Sequence, residues 1–224
     1  MNEASPKGAF IVNDCAAAII GTGNRARDLL ELRYQLLGVH PGCIYYHFWG
    51  TLLQPGFENP EYLNDFAEWA NSGLRDVKLA EELGVLDPLD FPDLDALRRE
   101  IVEVIDEHLD EIKIVPSAPP DRQFHFNRSQ IIIFDTKRSA ATLPELAELI
   151  PRLSPGSVFY HFIDARRRTE NGEDDFRAWL RGYGAAHAPL IESIARIHPY
   201  FASLCALRER LAAVFGEYLS GVKQ

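Results

Sequence analysis

The side chains in this sequence best suited to chemistry are His47 and His161. Each stands late in a short aromatic segment, Pro41-Gly42-Cys43-Ile44-Tyr45-Tyr46-His47-Phe48-Trp49 and Pro155-Gly156-Ser157-Val158-Phe159-Tyr160-His161-Phe162-Ile163. A neutral imidazole can move a proton or ligate a metal ion near neutral pH. Tyr46 and Tyr160 directly precede the two histidines and combine an apolar body with a polar tip, which suits a pocket or a core. Asp65 and Asp175 follow each segment, and Arg98 and Arg208 stand further on, each after a leucine. The expected ligand-binding set is therefore Tyr46, His47, Arg98, Tyr160, His161 and Arg208, with Asp65 and Asp175 as acid–base partners. A plainer reading fits the same residues. A histidine between aromatics also looks like a hydrogen-bonded core residue. An Asp ahead of a helix is by default its N-cap, and the arginines could point inward to a carboxylate or outward to water.

Other motifs carry less. Gly21-x-Gly23-x-x-Ala26 after an apolar stretch has the form of a dinucleotide-binding turn. The next apolar segment lacks the acidic ribose partner, however, and Phe134-Asp135-Thr136-Lys137 later in the chain has no such glycines. The favoured reading is a turn and helix start. Arg166-Arg167-Arg168 could receive a phosphate or carboxylate, but the acids at Glu173, Asp174 and Asp175 make it a solvated helix end. No HExxH, P-loop or GxSxG motif occurs. No spacing defines a metal site, so a metal could be held only by distant segments brought together. No catalytic residue or cofactor is specified.

Composition narrows the function classes. The 224 residues carry a net charge of −10, which repels phosphate backbones and argues against nucleic acid as a partner. Cys15, Cys43 and Cys205 are scattered and odd in number, as expected for a reducing compartment. The stretch from Phe10 to Ile20 is interrupted by Asn13 and Asp14 and makes a poor signal peptide. No apolar run is long enough for a bilayer. A cytoplasmic protein that does not bind membranes is expected.

The elements that must position the histidines recur along the chain. Around the two aromatic segments, Leu29, Glu31 and Leu32 match Leu143, Glu145 and Leu146, and Phe10 matches Phe124. Downstream, Asp65-Phe66 and Trp69 match Asp175-Phe176 and Trp179, and Leu97-Arg98 matches Leu207-Arg208. The spacing slips once, at Gln54-Pro55-Gly56 and Asn59-Pro60, where a longer loop is expected. The expected fold is mainly α with minor β, in two tandem pseudo-symmetric helical units. Residues 1–115 form the first unit, 116–123 a stiff Pro-rich connector, and 124–224 the second unit. Within the first, residues 26–37 carry Leu29, Leu30, Leu32, Leu36 and Leu37 as one apolar helix face, and a last helix opens with Asp93 as N-cap before Leu94, Leu97, Ile101, Val104 and Ile105. The segments 10–20 and 130–134 are extended and expected to pair. The aromatic segments are short and rich in strand-formers, yet Pro-Gly can open a helix; helix is the expectation.

The order of an aromatic-His-Phe segment, Asp-Phe-x-x-Trp and Leu-x-x-Leu-Arg resembles a bacterial family of unknown function. That resemblance implies no activity and adds no site residues. From the residues alone, the first expectation is binding of a small molecule or a protein partner in a cleft between the units. The alternatives are a hydrolase using His with Asp or a metal, and a scaffold for protein interaction.

Overall fold

The computed structural model describes residues 8–53, 61–169, 171–200 and 202–222. The loop expected at Gln54-Pro55-Gly56 and Asn59-Pro60 lies outside these. Two strands, β1 (Phe10–Ala26) and β2 (Phe124–Ala140), pair in a two-stranded sheet. The Thr22 hydroxyl donates to the Phe126 carbonyl and the Thr136 hydroxyl to the Val12 carbonyl. The late part of each strand thus lies beside the early part of the other, which makes the register antiparallel. The two extended segments do pair, over longer runs than expected, and Gly21 and Gly23 lie within β1 rather than in a helix-opening turn.

The helices after β1 are α1 (Leu29–Gly38), α2 (Pro41–Trp49), α3 (Asp65–Trp69), α4 (Val77–Gly84) and α5 (Leu94–Glu111). After β2 come α6 (Leu143–Leu149), α7 (Pro155–Val158), α8 (Ala165–Arg168), α9 (Asp175–Arg181), α10 (Ala188–Ala195) and α11 (Leu204–Val222). A π-helical turn, Phe159–Asp164, joins α7 to α8. Both aromatic segments are therefore helical. His40 caps α2 through its side chain and Ser154 caps α7, each just before the proline that takes the first helical position. Asp93 caps α5 as expected, and Thr142 with Glu145 forms a capping box on α6.

The chain forms two compact units, but not in tandem. One consists of residues 17–130; the other combines the residues up to Ala16 with those from Ile131 onward. This overturns the expected tandem arrangement, since one unit lies inside the sequence of the other. The cause is strand packing: β1 starts among the helices that follow β2, and β2 starts among the helices that follow β1. Residues 116–123 are not a free spacer. Ser117 forms a bridge with Asp28, the Ala118 amide donates to the Arg27 carbonyl, and the Trp69 indole donates to the Arg122 carbonyl at 2.7 Å.

Each unit has its own core. In the unit of residues 17–130, Leu29, Leu32, Leu36, Ile44, Phe48, Phe66, Leu97, Ile101 and Ile105 are buried. In the other, Phe159, Phe162, Phe176, Leu190, Leu207, Leu211 and Phe215 are buried. The leucines of α1 do not share one face. Leu29, Leu32 and Leu36 point into the core, whereas Leu30 and Leu37 lie outside with Tyr34. Trp69 is buried with its ring 5.6 Å from that of Phe124, and Trp179 is half-buried. Among the described residues, no helix is long and apolar enough to cross a membrane.

Candidate functional site

In the unit of residues 17–130, His47 lies on α2, a helix whose residues from Cys43 to Trp49 are all buried. Such a helix meets protein on every side, and the ring is 2% exposed. Its Nδ1 is 2.7 Å from Asp65 Oδ2, and its Nε2 accepts the Asn127 backbone N–H at 3.2 Å. An amide N–H can only donate, so Nε2 must carry a lone pair. The proton then sits on Nδ1 and is donated to the carboxylate. Phe124 of β2 packs 4.7 Å from the imidazole and stacks on Phe66 at 5.0 Å, and Tyr46 meets the imidazole edge-on.

The same set of contacts forms in the other unit. His161 lies in the π-helical turn and is likewise 2% exposed. Its Nδ1 is 2.7 Å from Asp175 Oδ2, and Nε2 accepts the Asn13 N–H at 2.9 Å. Phe10 packs 4.9 Å from this ring and stacks on Phe176 at 5.1 Å. Here Asp175 also receives Arg168 Nη2 at 3.0 Å, and the Arg168 guanidinium lies 4.0 Å from the centre of the Tyr160 ring.

Each histidine thus pins the first residues of a strand to a helical core. Both ring nitrogens are engaged, and a base would need the lone pair that the strand amide now occupies. Asp65 and Asp175 reach the histidines because they are not the caps expected from the sequence. Asn64 and Asp174, one residue earlier, cap α3 and α9 in extended backbone, leaving the next carboxylate free. Arg98 and Arg208 are not beside the histidines. Arg98 donates to the Val39 carbonyl and Arg208 to the Leu153 carbonyl, so each ties the last helix of its unit to the turn ahead of the histidine helix.

Sequence reasoning missed Asn13 and Asn127, because their contribution is a backbone amide. The signal was the shared Phe-x-(Val or Phe)-Asn order at the start of each strand. Burial raises the Cys15 thiol to about 12, with help from the charges of Asp14 and Asp164. Desolvation also lowers the Arg166 guanidinium, against the opposing charge of Asp174. Among the described residues, no group of three or more His, Cys, Asp or Glu side chains is placed so that it could hold a metal ion.

OrfY from Thermoproteus tenax, whose structure is solved, is similar to this chain with 27% sequence identity and a TM-score of 0.82. The match covers 96% of this chain and 98% of that one. No curated protein matches. The family model that matches spans residues 7–216, a range that contains both strand-pinning histidines and all of their partners, and on that match the chain belongs to a family of unknown function, DUF5752.

Proposed function

We propose that this chain is a protein-binding module, and that the outward face of α1 is its contact surface. The observation that carries the reading is the stripe Leu30, Tyr34 and Leu37, exposed by 56%, 74% and 57%. Residues spaced by four and three lie on one helix face. A helix that already buries Leu29, Leu32 and Leu36 is ordinarily polar on the opposite side. α6 follows that rule: it buries Leu143 and Leu146 and exposes Pro144, Glu145 and Glu148. The stripe on α1 is therefore not required by this kind of packing. Clustered large apolar side chains on a surface mark an interaction site.

In the isolated protein the occupant is a second copy of the chain. Leu-Tyr-Leu reads the same in both directions, so two α1 helices can cross antiparallel with Tyr34 at the two-fold axis and Leu30 facing Leu37. That is the self-complementarity of a two-fold interface. The stripe offers on the order of 300 Å² per copy, less than half of the ~800 Å² per partner in a standard interface. The association is accordingly weak and concentration-dependent. In this reading His47, Tyr46 and Arg98 hold together the unit that carries α1, His161, Tyr160 and Arg208 do the same for the other unit, and a catalytic role is disfavoured by the engaged ring nitrogens.

Sedimentation equilibrium of the purified chain tests the reading. The expected result is a monomer–dimer equilibrium that strengthens with salt, because the chains each carry −10 and screening reduces their repulsion. Tyr34→Glu should weaken it at least tenfold with unchanged thermal stability. A strictly monomeric chain at high concentration and high salt would refute the occupant, and a dimer indifferent to Tyr34→Glu would refute the surface.

A further inference from the structure

α1 and α5 lie side by side and antiparallel. Arg98, early in α5, donates to the Val39 carbonyl just after α1, and Arg33 pairs with Asp106 midway along both helices. Beyond α5 the chain returns to the start of α1, where the Ala118 amide donates to the Arg27 carbonyl. At about 100° per residue, Arg33 falls between the buried Leu29 and Leu36 and the exposed Leu30 and Leu37. The apolar stripe therefore leans towards α5. Glu103 and Asp110 stand one turn to either side of Asp106, share its face and are exposed. Arg33 neutralises Asp106, whereas among the described residues no cation pairs with Glu103 or Asp110. The stripe is thus bordered on one side by an acidic row.

Two copies crossing antiparallel match Leu30 with Leu37. The two-fold axis that does this lies in the contact plane across the helices, so it reverses their direction and leaves each lateral side in place. The acidic row of one copy then faces the acidic row of the other, and like charges set opposite each other oppose the contact. A second copy satisfies the apolar stripe but not its border. Lysine or arginine opposite Glu103 and Asp110 satisfies both.

Resting on the reading that α1 is a contact surface, we propose that its partner is an amphipathic helix of another protein, apolar along one face and basic along one edge of that face. The helix lies along α1 on the side of α5 and sets apolar residues at i, i+4 and i+7 against Leu30, Tyr34 and Leu37. Glu103 and Asp110 are about 10.5 Å apart along α5 at the helical rise, so basic residues two turns apart on the partner reach both. The second copy is the weaker occupant, taken up when no such helix is present.

The test is fluorescence anisotropy of the full chain with a short labelled helical peptide that carries leucines at i, i+4, i+7 and i+11 and lysines along one edge. One peptide should bind per chain and should be released as salt rises, the opposite sign to the dimer, because screening here weakens an attraction. A variant with Glu103→Gln and Asp110→Asn should bind the peptide about fivefold more weakly or worse, yet dimerise more tightly. Glu107→Gln with Glu111→Gln makes the same charge change on the side of α5 that meets Lys78 of α4 and should leave binding unchanged, which separates the acidic row from the overall charge. The same peptide with glutamate in place of lysine, or with its sequence scrambled, should not bind. A lysine peptide that fails to bind, or that the Glu103→Gln, Asp110→Asn variant holds equally well, overturns this inference; a dimer that still responds to Tyr34→Glu then keeps α1 as the contact surface. Peptide binding indifferent to Tyr34→Ser overturns the surface and this inference together.

Discussion

Replacing His161 by Phe separates a strand pin from a catalytic base. Phe keeps the ring packing against Phe10, Tyr160 and Phe176 and removes two hydrogen bonds. The Asn13 N–H, now 2.9 Å from Nε2, loses its acceptor in a partly buried position. An orphaned donor of this kind costs ~1–3 kcal/mol, and the lost bond to a carboxylate a further ~1.5–3 kcal/mol. The lower part of both ranges applies, because Asp175 keeps Arg168 and is 23% exposed. The expected loss is about 2.5–4 kcal/mol. Asp175→Asn should cost less, since an amide oxygen still accepts from Nδ1. Urea unfolding gives the total, and hydrogen exchange locates it: the Asn13 amide should lose protection in His161→Phe while core amides of the unit of residues 17–130 keep theirs. A loss below about 0.5 kcal/mol, with Asn13 protection unchanged, would refute the pin as the reason for this histidine.

Two further expectations follow from close packing and burial. A Cβ at Gly156 would lie 2.2 Å from both Asp14 Oδ1 and the Cys15 carbonyl oxygen, whereas at Gly42 its nearest neighbour is the His40 side chain at 3.0 Å. Gly156→Ala should therefore cost about 1–3 kcal/mol or more in urea unfolding and Gly42→Ala much less; equal costs would show that the start of β1 is not held against α7. Of the three thiols, the exposed Cys205 should react with a disulfide reagent at about pH 8 while Cys15 stays inert, because burial first, then Asp14 and Asp164, push its thiol to about 12 and leave almost no thiolate. Mass spectrometry showing native Cys15 modified as fast as Cys205 would contradict this.

Much of the local structure was legible in the sequence. Proline after a capping side chain opened both histidine helices, and Asp93 stood where α5 begins. The aromatic surroundings of His47 and His161 pointed to burial, and the two extended segments declared themselves by composition. These features depend on residues close in sequence, where side-chain type and spacing set the backbone choice. One local detail slipped: capping at Asn64 and Asp174 rather than Asp65 and Asp175 turns on a single residue's extended backbone angles, and adjacent polar residues compete for that position.

The tertiary structure alone decided which helices each strand start joins, and therefore that the units are interleaved rather than in tandem. Phe10 and Phe124 have the same pattern of neighbours, and nothing in that pattern says which aromatic core receives which ring. Closing a longer loop adds little entropy cost, so sequence proximity does not settle the choice; packing does. The partners of the histidine Nε2 atoms were hidden for a related reason. They are main-chain amides, which every residue except proline carries, and only the folded path of the strand brings Asn13 and Asn127 to the imidazoles. The outward side of α1 was hidden too, because Leu29 and Leu30 are alike in the sequence and differ only in what the fold places against them.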